Sequence, residues 1–120
     1  MSSSSADQTV SFKRGDTWQQ RFEWIQRGNN QPVNLFGCDA KLDVVSMRGN
    51  EVVVSVSNTS SPSTLDIDGP NGIVTLRVES EDTNSLSPGQ YKADLQVTFP
   101  NGTVKSTNTF YVRVEEDVTR

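Results

Sequence analysis

Residues Leu86–Val114 read LSPGQYKADLQVTFPNGTVKSTNTFYVRV, and the fold follows from this stretch. Tyr91, Ala93, Leu95, Val97 and Phe99 recur at every second position, with Lys92, Asp94, Gln96 and Thr98 between them. A period of two puts the first set on one face of a strand and the second on the other. Pro100-Asn101-Gly102 then supplies a tight turn, because Asn and Gly accept positive φ at little steric cost. On the return, Val104, Phe110, Val112 and Val114 share one parity, while Lys105, Thr107, Thr109 and Arg113 take the other. Ser106 and Asn108 interrupt the apolar face. The expectation is a β-hairpin with one buried and one wet face.

Working outward, the remaining chain repeats this grammar. A segment from Thr9 to Lys13 carries Val10 and Phe12 on one side, and Arg14-Gly15-Asp16 interrupts it. Thr17 to Gln26 resumes with Trp18, Phe22 and Trp24 on one parity. From Cys38 the inward set is Cys38, Ala40, Leu42 and Val44, against Asp39, Lys41 and Asp43 outward. Val52, Val54 and Val56 follow the Arg48-Gly49-Asn50 turn as another strand. Leu65 and Ile67, then Val74, Leu76 and Val78, make two more around Gly69-Pro70-Asn71-Gly72. Glu79 to Leu86 is the one helical turn. Short strands at roughly 8–12-residue spacing, joined by Gly, Pro and Asn, predict an all-β, antiparallel immunoglobulin-like sandwich of about 7–8 strands. In such a fold Tyr91, opening a late strand, is expected to hydrogen-bond back to the preceding turn. The expected core is Trp18, Phe22, Trp24, Leu42, Val44, Val74, Leu76, Tyr91, Leu95, Val97, Phe110 and Val112.

A chain of 120 residues is one domain, able to bury roughly two-thirds of its unfolded surface. The sandwich is assigned to residues 9–120. Residues 1–8 are expected to form a flexible N-terminal arm, since a Ser-rich stretch without periodicity cannot offset its own ordering entropy. Only 32% of residues are hydrophobic, so the core is a thin layer between sheets. The net charge of −4, with basic residues scattered singly, argues against a nucleic-acid partner. No apolar run approaches the roughly 20 residues of a membrane span. Nor do residues 1–8 have the charged and apolar regions of a secretory signal, so synthesis in a cytosol is expected.

Chemistry has few places to reside. The chain has no histidine and one cysteine, which excludes Ser/His/Asp and Cys/His catalysis, a zinc site of Cys and His, and an internal disulfide. Cys38 reads as a small buried hydrophobe. Asp39/Asp43 and Glu79/Glu81 read as solvated faces. Asp66-x-Asp68-Gly69 starts like a calcium loop, but Pro70 holds the next ligand position and no downstream Glu completes it, so it reads as a turn. Asn58-Thr59-Ser60 and Asn101-Gly102-Thr103 match glycosylation sequons, idle without secretion. Neither an enzyme, a cofactor nor a metal is expected. Trp18 and Trp24 allow a sugar-stacking surface, but Phe22 between them favours core. Arg14-Gly15-Asp16 reads as a turn or bulge at Gly15 rather than as an adhesion motif.

Several motifs follow one another in a fixed order: Phe12-Lys13-Arg14-Gly15-Asp16-Thr17-Trp18, Gln31-Pro32-Val33-Asn34-Leu35-Phe36-Gly37, Gly72-Ile73-Val74, Leu86 to Leu95, and Val118-Thr119-Arg120. In this the chain resembles small virion proteins of tailed bacteriophages, in particular the immunoglobulin-like N-terminal module of baseplate upper and fibre-attachment proteins. The resemblance implies a non-enzymatic virion component, present in many copies and made in the bacterial host. Where such modules head a fibre protein a shaft follows, whereas this sequence stops at Arg120. The expectation is therefore a decoration or cement protein on the outside of the capsid, bound to the major capsid protein. The alternatives are a tail, baseplate or fibre-attachment adaptor contacting tail proteins, and a carbohydrate-binding or adhesion module. Self-association stays open, and neither nucleic acid nor membrane is an expected partner. The expected contact residues are Ser2, Ser3, Ser4, Ser5 and Gln8 in the arm, where a free backbone can pair with a strand edge, and Arg14 and Asp16 in the first turn.

Overall fold

The computed structural model describes residues 9–26, 28–107 and 109–116. Nine strands are present among them: β1 Thr9–Lys13, β2 Trp18–Glu23, β3 Asp39–Ser46, β4 Val52–Ser57, β5 Thr64–Asp68, β6 Ile73–Val78, β7 Gly89–Thr98, β8 Val104–Ser106 and β9 Phe110–Glu115. A helical turn, α1 Ser80–Thr83, lies where the polar stretch after β6 predicts it. One sheet has the order β1-β9-β7-β3-β4 with β8 added to β7, and the other is β2-β6-β5. β2-β6-β5 facing a sheet that holds β3, β7 and β9 matches the B, E and D strands opposite C, F and G in the immunoglobulin fold. The predicted sandwich is thus present.

Between the sheets the alternating positions meet. Leu42, Val44, Val74, Leu76, Leu95, Val97 and Val112 are wholly buried, as are Leu35 and Val78. Tyr91 makes the predicted corner, its hydroxyl donating to the Ser87 carbonyl at 2.6 Å. Leu35 and Leu86 join the core from loops, where no alternation marks them. Gly72 is required at its turn. Its φ is +66°, and a Cβ there would lie 2.7 Å from the Val33 carbonyl oxygen and 2.8 Å from that of Trp24.

Four expectations need correction. Pairing is antiparallel except at β1, which runs parallel to β9, with Thr9 opposite Tyr111 and Lys13 opposite Glu115. The return strand is broken in two: β8 pairs Gln96 with Ser106, whereas β9 pairs Ala93 with Phe110. Those registers differ by one residue. The one-residue slip reverses which parity faces inward, so Val104 lies outside, half exposed. A second bulge, between Val44 and Val45, sets Val52 opposite Val45 and exposes it. Finally, Phe22 and Trp24 are only half-buried, on and just past β2, an edge strand with β6 on one side alone.

Candidate functional site

The Arg14-Gly15-Asp16 turn is held at four points. Arg14 N–H donates to the Glu115 carbonyl at 2.8 Å, extending the β1–β9 pairing by one bond. Asp16 N–H donates to the Lys13 carbonyl at 3.0 Å and closes the turn, with Gly15 at φ +92°. Thr83, the buried last residue of α1, supplies the other two. Its Oγ1 accepts from Gly15 N–H at 3.2 Å and donates to the Asp16 carbonyl at 2.7 Å. The main chain of the triplet is therefore bound inward. Asp16 remains exposed and Arg14 half-buried, its Nε shielded and without a hydrogen-bond partner. No ion pair joins the two among the described residues.

Sequence reading missed Thr83. A threonine in a polar turn carries no periodic signal, and its partners lie 67 and 68 residues away. Asp82 of the same turn receives a hydrogen bond from Ser63 Oγ at 2.5 Å, so α1 ties the first turn and the β4–β5 connection to one plug.

Ser2, Ser3, Ser4, Ser5 and Gln8 lie outside the described residues. The described chain begins at Thr9, beside Tyr111, and the five residues of β1 separate that point from the Arg14 turn. Thr9 and the Arg14 turn are thus at opposite ends of β1, not in one patch.

Reactive groups are muted by the fold. Cys38 is buried, and burial first, then the charge of Asp39, pushes its thiol above the ordinary value of 9.0. Among the described residues no cluster of three acidic or thiol groups is placed to hold a metal. Trp18 is buried in the core, stacked on Phe12 with ring centroids 5.0 Å apart. Trp24 keeps its indole N–H shielded and unpartnered, so the polar edge of its ring is not offered to a sugar. An open depression of about 440 Å³ beside it is lined by Arg21, Glu23, Ile25 and Asn71 among others.

Three comparisons with known proteins bear on this geometry. The family model of the BppU N-terminal domain matches residues 2–120. No curated protein matches the chain. Among solved structures, the N-terminal domain of phage TP901-1 ORF48 superposes with a TM-score of 0.54 at 23% identity, over 88% of this chain and 83% of that one. This likeness is one of fold. CopC from Methylosinus trichosporium OB3b reaches a TM-score of 0.48 at 14% identity, over 97% of this chain and 90% of that one.

Proposed function

This chain belongs to the family of the BppU N-terminal domain, the N-terminal domain of phage baseplate upper proteins, and is a structural module of the virion; from that premise we propose that it is a non-enzymatic attachment module of the tail baseplate. The family match over residues 2–120 carries the reading. It favours the tail and baseplate alternative over capsid decoration, for which neither the family nor the fold offers support. The structure is consistent in its chemistry: a buried thiol, a turn bound inward and shallow open depressions suit a scaffold that is held, not one that turns over substrate.

Attachment is to other virion proteins through contacts repeated over many copies. Two elements are assigned to it. Residues Ser2–Ser5 and Gln8 offer a main chain able to add to a strand edge, a contact that needs little side-chain specificity. Fixing an extended segment costs roughly 1–2 kcal/mol per residue, so affinity through such a contact depends on a partner groove and on avidity among copies. The exposed carboxylate of Asp16, on a turn that does not have to be ordered on binding, is the second.

Localisation of the chain within particles tests the reading. Gold-labelled antibody against it is expected at the tail tip, and labelling of the capsid shell would reject the baseplate assignment. Deletion of residues 1–8 is expected to leave the melting temperature unchanged and to weaken binding to particles stripped of the wild-type chain. Undiminished binding removes the N-terminal segment from the interface and leaves the Asp16 turn, to be tested by Asp16→Lys.

A further inference from the structure

Among the described residues the outer edge of β2 is unpaired from Gln19 to Glu23, and the line continues through Ile25, which bridges Pro32 on its other side. Trp24 N–H donates to the Gly72 carbonyl, so the amides of Phe22, Gln20 and Trp18 also face β6 by the two-residue period. The main-chain groups of Gln19, Arg21, Glu23 and Ile25 therefore point away from the sheet, and none has a hydrogen-bond partner among the described residues. Gln26 N–H donates to the Gln31 carbonyl and Val33 N–H to that of Trp24, both on the β6 side, which leaves Ile25 facing outward. Among the described residues no proline, bulge or covering loop guards this edge.

The other edges differ. On β5 a second copy would set Asp66 against Asp68. On β1 it would set Lys13 against Thr9, with no charge to match. The β4 edge is bent by its bulge, and the Ser57 main chain is engaged by Ser60 and Thr64. At three residues, β8 is too short to matter. Among the described edges that leaves β2.

Its charges are self-complementary. Arg21 and Glu23 share the outer face and pair with each other at 3.2 Å, both exposed. An antiparallel two-fold contact centred on Phe22 places Arg21 opposite Glu23 of the other copy, and Glu23 opposite its Arg21. Those are the residues whose amides and carbonyls face outward, so the same register that matches the charges also forms the main-chain bonds. Each charge then has opposite charges as its nearest neighbours, along its own strand and across the interface. A chain of net charge −4 needs such local matching to meet a copy of itself. The contact also covers Phe22 and Trp24, left half-buried at this edge, and Ile25, 48% exposed.

We propose that the β2 edge is a self-association surface, at which two copies join their three-stranded sheets into one six-stranded sheet through a two-fold axis at Phe22. The surface is isologous and closes at two copies.

Sedimentation of the full chain is expected to show a monomer–dimer equilibrium. Arg21→Glu and Glu23→Lys, each on an exposed side chain, are each expected to weaken it by about tenfold or more, since like charges then face one another. An equimolar mixture of the two variants restores association, because every charge at the two positions then faces its opposite across the axis. In the wild-type dimer, the amides of Gln19, Arg21, Glu23 and Ile25 gain protection from hydrogen exchange. A wild-type chain that stays monomeric up to about 1 mM overturns the proposal. So does a dimer indifferent to both reversals, a mixture that fails to associate, or a dimer in which those four amides still exchange freely.

Discussion

Thr83 shows how much a single hydroxyl can organise. It is wholly buried, and its oxygen is acceptor to Gly15 and donor to Asp16. Thr83→Val keeps the shape and strands both main-chain groups, so a loss of about 1–3 kcal/mol is expected, read as a lowered melting temperature. The amide of Gly15 should then exchange faster; an unaltered rate at Gly15 would disprove the clamp. Cys38 is the other residue with a defined consequence. Its thiol is raised in the folded chain, so the unfolded chain releases its proton first as pH rises. Protons bound are then fewer in the unfolded state, and stability falls as pH climbs above 9.0 toward the folded value. Below that range the stabilisation is present in full. Cys38→Ala should flatten this alkaline decline, and native Cys38 should react with thiol reagents far more slowly than a free thiol.

Among the elements, β7 is the spine, pairing with β3 along one side and with β9 and β8 along the other. Its first turn is fastened by the Tyr91 hydroxyl, and Tyr91→Phe is expected to cost about 1 kcal/mol, measured by denaturant unfolding. Core and edge aromatics should separate in the same assay. Phe110, buried and 5.7 Å from the Phe22 ring centroid, should lose about 3–5 kcal/mol on truncation to Ala. Trp24→Ala should lose clearly less, since part of its surface is already in water. Equal losses would mean that the edge of β2 is covered in solution, as self-association predicts at high concentration. The β6 entry is stricter. Gly72→Ala meets two carbonyl oxygens closer than any Cβ tolerates and should cost more than the roughly 1–2 kcal/mol of the left-handed backbone alone.

At the scale of the whole molecule, the two sheets share one thin core and the connections decide where everything else lies. The parallel pairing of β1 with β9 sets Thr9 the full length of a strand away from the Arg14 turn. Removal of residues 1–8 is expected to leave the unfolding transition in place, read as an unchanged melting temperature; a fall of several degrees would overturn their assignment as a separate arm. Local pattern was enough to read the strands, the inward sets on β3, β6 and β7, the helical turn and the Tyr91 corner. Each of these rests on a short period, on turn chemistry or on a contact only four residues long. The remaining features came from the packing of distant segments. Val104 turned outward because a one-residue slip reverses parity, and a slip leaves no trace in alternation. The parallel β1–β9 pair, the clamp on Gly15 and the choice of β2 as an open edge depend on residues far apart in the chain. Periodicity records which side of a strand is apolar, but not which strand lies beside it.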